Sequence, residues 1–379
     1  MSEKKQKIFF NGLNELRALA ALAVVVHHVE FLKLKNGYSS LVNINKLSYF
    51  ISKLGANAVD IFFVISGFLI TYLLLKEKEN NFGKIALKQF YARRVLRIWP
   101  LYYLIVIVSI FIVPVINNSF EIFSSVSYYH ETINTASNYT PKIKLLYFLF
   151  FPNLALNVYK VFVACCSQTW SVGVEEQFYI LWPLLILLFN KKQILWIFIL
   201  ILFFFRGIQG SAYDLLIIID KAIPFQHMAI GALGGFLYVY YRELMERIGK
   251  SKWLYFILIS SLLFLLFKDI TGKFYQSLLM SFLTFGIIIC SINNQNKFVF
   301  RNKFFAYLGT ISYGIYMYHP LVMYIVFAMI NSWFHLNNVM YNVVSYLAII
   351  SLTIIISHFS YKYFESYFLK IKEKKFNSL

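Results

Sequence analysis

The first apolar stretch of the chain, residues 13–34, contains titratable side chains that a simple membrane anchor would exclude. These are Arg17, His27, His28 and Glu30. An ionisable side chain costs about 2.5–3.5 kcal/mol at the centre of a membrane helix, so several in one span indicate a polar interior rather than lipid contact. At roughly 100° per residue, Arg17 and His28 fall on nearly one helical face, about 16 Å apart along the axis. This face therefore offers a fixed cation and, deep in the bilayer, a group that can accept a proton.

A pair of arginines precedes the third apolar stretch. Arg94 and Arg97 are three residues apart, so both guanidinium groups can address one anion from a helix. Bidentate donors of this kind suit phosphate or pyrophosphate. Two other interpretations remain open for the pair: an ordinary cluster of basic residues at the cytoplasmic interface, and a site for anionic lipid headgroups.

Acidic and aromatic side chains form a third group of candidates. Asp60 lies near one end of the second apolar stretch, where a carboxylate needs a partner or water. Glu175 and Glu176 begin a later apolar helix beside Trp170, and Glu175 is the better candidate for a site, although a helix start also favours acids through its dipole. His319 directly precedes a proline that frees a backbone carbonyl, and structural and functional roles are equally compatible with it.

The composition is that of a membrane protein, since 59% of the residues are hydrophobic, 14% are charged and the mean hydropathy is +0.64. We therefore predict an all-α integral membrane protein, a polytopic bundle of about ten transmembrane helices. The predicted spans are residues 14–34, 56–75, 98–117, 171–190, 193–208, 222–241, 252–268, 274–292, 304–329 and 340–361. The stretch 144–158 is also apolar, but a proline and two asparagines interrupt it, which favours an interfacial or re-entrant segment.

The distribution of basic residues predicts the orientation. With the N-terminus inside, the inner segments carry 24 of the 36 Lys and Arg residues and the outer segments carry 11. Because cytoplasmic loops are enriched in Lys and Arg, we predict that both termini are cytoplasmic and that residues 118–170 form a long extracytoplasmic loop. We expect a single transmembrane domain over residues 1–379, with a core at 10–370 and no separate soluble domain.

Charge and cysteine usage exclude several classes of protein. The net charge of +19 is dispersed over the loops that flank the membrane, which argues against a nucleic-acid-binding surface. The chain has three cysteines, two of them adjacent, and their spacing predicts neither a disulfide framework nor a metal site.

Seven motifs follow one another along nearly the whole chain: GLNELRALAALAVVVHH, AVDIFFVISGFLI, FYARRVLRIWP, TWSVGVEEQFYILWP, IPFQHMAIGAL, LGTISYGIYMYHP and SYKYFE. Together they resemble membrane-bound acyltransferase family 3, which includes bacterial O-antigen acetyltransferases. The resemblance implies a multi-pass enzyme of the bacterial plasma membrane that uses no metal. Such an enzyme transfers an acyl group, usually acetyl from cytoplasmic acetyl-CoA, to a hydroxyl of an extracytoplasmic glycan or lipid-linked saccharide.

The family's site residues carry over onto matching positions. The resemblance places an Arg-x10-His pair at Arg17 and His28, an Arg-x-x-Arg pair at Arg94 and Arg97, and a Trp-Ser-x-x-x-Glu element at Trp170, Ser171 and Glu175. Gln168 stands where many members have histidine. We expect His28, Arg17, Glu175 and Asp60 to serve catalysis, Arg94, Arg97 and Arg17 to bind acyl-CoA, and Trp170, Ser171, Glu176 and His319 to contact the acceptor.

The resulting hypothesis gives His28 the central role. It acts as general base on the acceptor hydroxyl or carries the acyl group briefly, and Glu175 or Asp60 orients its imidazole. Two other functions are compatible with the same residues. A transporter or flippase for a lipid-linked glycan would use the buried charges to carry protons or to bind a headgroup, and a scaffold subunit would bind only lipid or protein. The sequence leaves the acceptor and the oligomeric state open.

Overall fold

The computed structural model describes residues 10, 12–38, 40, 41, 45–208, 222–268, 273–293 and 299–376. All regular secondary structure in these residues is helical. In the first half, the helices are α1 (Leu13–Lys35), α2 (Asn45–Asn80), α3 (Leu87–Ile107), α4 (Val113–Ser119), α5 (Ser127–Asn134), α6 (Pro141–Phe148), α7 (Pro152–Asn157) and α8 (Thr169–Leu188). In the second half, they are α9 (Lys191–Ile208), α10 (Phe225–Tyr240), α11 (Arg242–Gly249), α12 (Lys252–Phe267), α13 (Lys273–Ile292), α14 (Lys303–Thr310), α15 (Ser312–Trp333), α16 (Asn338–Phe359) and α17 (Ser366–Phe376).

Several of these helices are long and apolar enough to cross a bilayer, which makes the chain a multi-pass membrane protein. Within the described residues there are six, namely Leu47–Asn80, Leu87–Ser119, Thr169–Leu188, Tyr275–Ile292, Ser312–Trp333 and Asn338–Phe376. The helix pair α11 and α12, bent by 76° at its junction, would make a seventh if it is one span. The ten spans and the cytoplasmic placement of both termini stay predictions.

Two stretches differ from uninterrupted spans. The predicted span 304–329 is wrong as one helix, because α14 ends at Thr310 and α15 begins at Ser312. Gly309 lies so close to α1 that a Cβ there would be 1.9 Å from the Asn14 carbonyl oxygen, so the chain turns where it meets α1. Residues 144–158 fold as parts of the short helices α6 and α7, separated by a turn in which Phe150 has φ 62°.

Close backbone contact between α2 and α10 forms the centre of the bundle. A Cβ at Gly67 would lie 2.0 Å from the carbonyl oxygen of Met228, and one at Gly231 would lie 2.0 Å from that of Val64. Small residues allow such approach between membrane helices, where packing replaces the hydrophobic effect as the driving force. This contact fixes α2, and with it the side chain of Ser66, against the rest of the core.

A buried ion pair holds the C-terminal end of α1. The side chains of Glu30 and Lys33 are both 0% exposed, and Lys33 Nζ donates to Glu30 Oε1 at 2.8 Å. Glu30 also accepts hydrogen bonds from Tyr346 (2.6 Å) and Ser40 (2.8 Å), and Lys33 donates to Asn342. Because these partners come from α16 and from the segment after α1, the network anchors α1 at the end that carries His28.

Candidate functional site

A cavity of about 710 Å³ lies beside the N-terminal half of α1, and we call it the arginine cavity. Its charged lining comes from α1, α3, α8 and the C-terminal segment of the chain: Arg17, Arg94, Arg97, Glu175, Glu365, Lys370, Lys372 and Glu373. The three arginines come from two helices that are far apart in sequence. The structure therefore brings together the three residues that the sequence predicted to bind an acyl-CoA.

The guanidinium groups of this cavity are largely available to a ligand. Among the described residues, none of Arg17, Arg94 and Arg97 donates a hydrogen bond to the protein or forms an ion pair within 4.0 Å. Arg94 lies over the rings of Phe90 (5.6 Å) and Tyr179 (5.2 Å), which hold its planar group in place. Arg17 feels repulsion from Arg97 and Arg94 and attraction from Glu175. A multiply charged anion would relieve this repulsion and satisfy the donors.

Of the two adjacent glutamates, only Glu175 lines the arginine cavity. Its Oε1 accepts from Ser66 (3.1 Å) and its Oε2 from Tyr179 (2.8 Å). Glu176 points to another side of α8, where its Oε2 accepts from Trp99 at 3.1 Å and its buried Oε1 has no hydrogen-bond partner among the described residues. The geometry therefore separates the two carboxylates, and Glu176 lines neither this cavity nor the one described next.

A second cavity of about 150 Å³ lies at the C-terminal part of α1, and we call it the histidine cavity. His27, His28, Ser167, Gln168 and Trp170 supply most of its polar lining. His28 and Arg17 lie on one helix about 16 Å apart by the rise of an α-helix, so α1 passes both cavities. The side chain that can accept a proton and the cations that can hold a donor thus lie in different chambers.

His28 contacts a second histidine from the opposite end of the chain. Its Nδ1 lies 2.7 Å from Nε2 of His319, and the two rings are stacked within 7° of parallel. His319 is 0% exposed, and the carbonyl groups of Ile315 and Tyr316 face its ring, although Nδ1 has no hydrogen bond of normal geometry. Pro320 lacks the N–H that would otherwise bond to the Tyr316 carbonyl, so this acceptor is open. His319 is thus the group that orients the His28 ring.

Four aromatic side chains separate the two cavities, and we call them the aromatic septum: Phe62, Phe63, Trp170 and Tyr316. Phe62, Phe63 and Tyr316 line the arginine cavity, and Trp170 lines the histidine cavity. The rings meet in two pairs, Phe62 with Tyr316 at 5.9 Å and Phe63 with Trp170 at 6.0 Å. On its far side the Tyr316 ring lies 5.9 Å from that of His319. The septum therefore contacts the lining of the arginine cavity and, through Trp170 and His319, the surroundings of His28.

Asp60 lies in a polar cluster that is distinct from both cavities. It accepts from Ser277 at 2.8 Å, and its Oδ1 lies 3.5 Å from Nε2 of His227. His227 Nδ1 in turn lies 2.7 Å from Ser281 Oγ. Asp60, which was expected to orient His28, thus contacts a different histidine. Glu175, the other carboxylate proposed for that role, contacts Ser66 and Tyr179 instead.

The cysteines offer no second nucleophile. Cys165 and Cys166 are buried just before α8, and burial raises the pKa of the Cys166 thiol to about 12. A thiol with that pKa stays protonated at neutral pH and is a poor nucleophile. In the parts of the chain that the structure describes, no group of three or more His, Cys, Asp or Glu side chains is arranged to hold a metal ion.

Sequence reasoning missed Ser66, Tyr179 and Tyr316. Tyr179 follows Glu175 by four residues on one helix, a spacing at which side chains meet, so this contact had a readable signal. Ser66 was visible only as part of a small-residue pair, for which close helix packing is the simpler explanation. Nothing in the sequence indicates that Tyr316 meets α8, because that contact joins residues 145 positions apart.

With this geometry in place, comparison with known proteins identifies the family. A profile of the acyltransferase domain, family 3, matches residues 10–358. The chain belongs to this family. Arg17, Arg94, Arg97, Glu175 and His28, together with His319, which contacts His28, therefore lie inside the matched range. Glu365 and the lysines of α17 lie beyond it.

Two relatives of this chain are named as O-acetyltransferases. A putative O-acetyltransferase of Staphylococcus aureus is 28% identical over 403 aligned residues, covering 98% of this chain and 59% of the relative. The peptidoglycan O-acetyltransferase OatA of Listeria monocytogenes is 27% identical over 341 residues, covering 82% of this chain and 49% of the relative. The chain thus spans about half of the length of the relatives that it matches. No solved structure matches it.

Proposed function

We propose that this family member is a membrane O-acetyltransferase that moves an acetyl group from acetyl-CoA in the cytoplasm to a hydroxyl of an extracytoplasmic glycan. One observation carries the proposal: an arginine-lined chamber and a histidine-lined chamber lie at two levels of α1, and rings that line the two chambers contact each other in the aromatic septum. A donor held by its phosphates and an acceptor held by its sugar would meet at this septum. The names of the relatives favour peptidoglycan or another cell-surface polysaccharide as the acceptor.

The arginine cavity suits the phosphate groups of acetyl-CoA. Among the described residues, Arg94 and Arg97 donate no hydrogen bond to the protein, so both guanidinium forks can address a ligand, and Arg17 adds a third cation to the cavity lining. Charge-assisted hydrogen bonds to phosphate are about twice as strong as neutral ones, and arginine provides them with fixed geometry. In this arrangement Glu175 limits the repulsion among the cations. The donor would extend from the arginines towards the septum with its thioester leading.

In the proposed reaction His28 acts as the base, a role that its contact with His319 supports. The Tyr316 carbonyl, freed by Pro320, favours a proton on His319 Nδ1, so His319 Nε2 accepts the proton of His28 Nδ1. His28 Nε2 then keeps its lone pair. In the proposed step it takes the proton of the acceptor hydroxyl, the oxygen bonds to the acetyl carbonyl carbon, the carbon–sulfur bond breaks, and the CoA thiolate leaves and is protonated. A brief acetyl-His28 intermediate gives the same net reaction.

The remaining predicted site residues differ in whether they can contact a substrate. Trp170 lines the histidine cavity, where its ring can stack on a sugar, and Ser171 lies at the septum on the arginine side. His319 acts through His28 and is a positioning residue. Glu176 and Asp60 line neither cavity, so we give them no direct part in the reaction. We place the protein in the plasma membrane of a bacterium, with the arginine cavity facing the cytoplasm.

The test uses purified protein in lipid vesicles that enclose soluble glycan strands of peptidoglycan, with radiolabelled acetyl-CoA added outside. We expect label in the glycan, and we expect His28→Ala to abolish it while protein yield and thermal stability are retained. His358→Ala is the matched control, because His358 contacts Tyr307 and lines neither cavity. A transporter of lipid-linked glycan would neither transfer nor hydrolyse the acetyl group, and that result would refute the proposal.

A further inference from the structure

We infer that the Tyr316 ring sets the length of the acyl chain that this protein transfers. The inference rests on the proposed function and adds to it a residue that determines donor specificity. Its starting point is the position of the ring: Tyr316 lines the arginine cavity on one side and lies beside the His319 ring on the other. His319 in turn contacts His28. Tyr316 therefore stands where a thioester from the arginine cavity comes nearest to the base.

Two hydrogen bonds fix the ring in that position. The Tyr316 hydroxyl donates to the Gln168 carbonyl at 2.9 Å, and it lies 2.7 Å from Ser171 Oγ, which can donate to it. Both partners come from the start of α8 and the residues just before it. The ring is thus held between α15 and α8 by groups of fixed position, and its outline is a defined wall rather than a mobile side chain.

The neighbouring rings leave little room around Tyr316. Phe62 packs edge-on against it at 5.9 Å, and Tyr316 itself is 6% exposed. Beyond the septum, the histidine cavity holds only about 150 Å³, which must also admit part of the acceptor. An acetyl group adds one methyl beyond the reacting carbonyl carbon and fits against such a wall. Each further methylene must occupy volume that the Tyr316 ring already fills, so the closed septum selects the shortest chain.

The test compares acetyl-CoA, propionyl-CoA and butyryl-CoA as donors, with glycan strands of peptidoglycan as acceptor. In Tyr316→Ala we expect the ratio of kcat/KM for butyryl-CoA to that for acetyl-CoA to rise at least about tenfold, because one methylene in a filled pocket changes kcat/KM by about 10- to 200-fold. Tyr316→Phe keeps the ring and loses only the hydroxyl, so its ratio should stay within about threefold of the unmodified protein. A tenfold rise in Tyr316→Phe as well would overturn the assignment to the ring.

Tyr324→Ala is the matched control for loss of a buried tyrosine ring. Tyr324 lies two turns further along α15, is 2% exposed, donates to Asn117 at 2.7 Å and lines neither cavity. Its donor ratio should equal that of the unmodified protein. If Tyr316→Ala does not fold, Phe62→Ala removes the ring that packs on Tyr316 and should shift the ratio in the same direction.

The two levels of the proposal fail in different ways. If the unmodified protein transfers no acyl group from any of the three donors, the proposed function fails and this inference fails with it. If acetyl transfer is present and the folded Tyr316→Ala and Phe62→Ala variants keep the original donor ratio, the proposed function stands and the role of Tyr316 is refuted.

Discussion

Loss of the His319 side chain should slow the chemical step without weakening donor binding. In the structure, His319 Nε2 and His28 Nδ1 are 2.7 Å apart, and His319 has no exposed surface. In His319→Leu, no water-accessible space replaces that contact, so His28 Nδ1 is left without a partner. An unsatisfied buried polar atom costs about 1–3 kcal/mol. Where this cost raises the free energy of the transition state for proton transfer to His28, kcat falls about 5- to 150-fold, since about 1.4 kcal/mol corresponds to tenfold in rate.

The same His319→Leu variant should bind the donor normally in the arginine cavity. Arg17, Arg94 and Arg97 do not contact His319 among the described residues, so KM for acetyl-CoA should stay within about twofold of the unmodified protein. This split between kcat and KM separates a positioning residue from one that binds the donor. The assay is initial-rate transfer of labelled acetyl to glycan strands at varied acetyl-CoA, with protein in lipid vesicles.

Two further variants make the result interpretable. His319→Gln keeps an amide oxygen near the position of Nε2, where it can accept from His28 Nδ1, so it should recover part of the lost kcat. His358→Leu removes a histidine outside both cavities and should have no effect. The reasoning would be refuted by a folded His319→Leu protein whose kcat lies within about twofold of the unmodified protein.

Three further predictions concern the cations and the packing of the bundle. Arg97→Gln should raise KM for acetyl-CoA about 10- to 150-fold, because a hydrogen bond to a charged group contributes about 1.5–3 kcal/mol. Arg93→Gln is the control, since the Arg93 side chain contacts Glu77 and the Phe376 carbonyl. Equal KM values in the two variants would contradict the donor site. Lys33→Met should lower the free energy of unfolding by about 3–5 kcal/mol, because it leaves the buried Glu30 without its cation. In thermal unfolding, the double variant Lys33→Met, Glu30→Gln should recover part of that loss. If the stability losses of the two single substitutions simply add in the double variant, the ion pair is refuted. Gly67→Ala should lower the melting temperature in detergent, because its Cβ would lie 2.0 Å from the Met228 carbonyl oxygen. A Cβ at Gly207 would meet no atom of another described residue within 4 Å beyond its own helix, so Gly207→Ala is the control and should be neutral. The same melting temperature in both variants would contradict the close helix contact.

The sequence predicted that Arg17, Arg94 and Arg97 face a polar interior, and the reason is physical; their role in donor binding stays a prediction. Arg17, Arg94 and Arg97 are charged residues in or beside apolar helices, and such residues must face a polar interior. The structure places all three on one cavity. The helical class follows from composition in the same way, because only helices satisfy their backbone groups within an apolar segment that is otherwise free of partners.

The partners of the catalytic candidates could not be predicted in this way. His28 and His319 are 291 positions apart, and their contact depends on how α1 and α15 cross. Asp60 is as polar and as buried as a catalytic carboxylate would be, yet its helix turns it towards Ser277 and His227. The apolar pattern also predicted one helix over 304–329, because the break between Thr310 and Ser312 does not interrupt the run of apolar residues.

In the proposed reaction, donor and acceptor reach His28 from opposite faces of the membrane. The most direct measurement uses sealed vesicles that hold glycan strands of peptidoglycan inside, with the protein inserted so that its arginine cavity faces outwards, and labelled acetyl-CoA added outside. We expect label on the enclosed glycan with the unmodified protein and none with His28→Ala. Transfer that occurs only when acetyl-CoA and glycan share one compartment would contradict it.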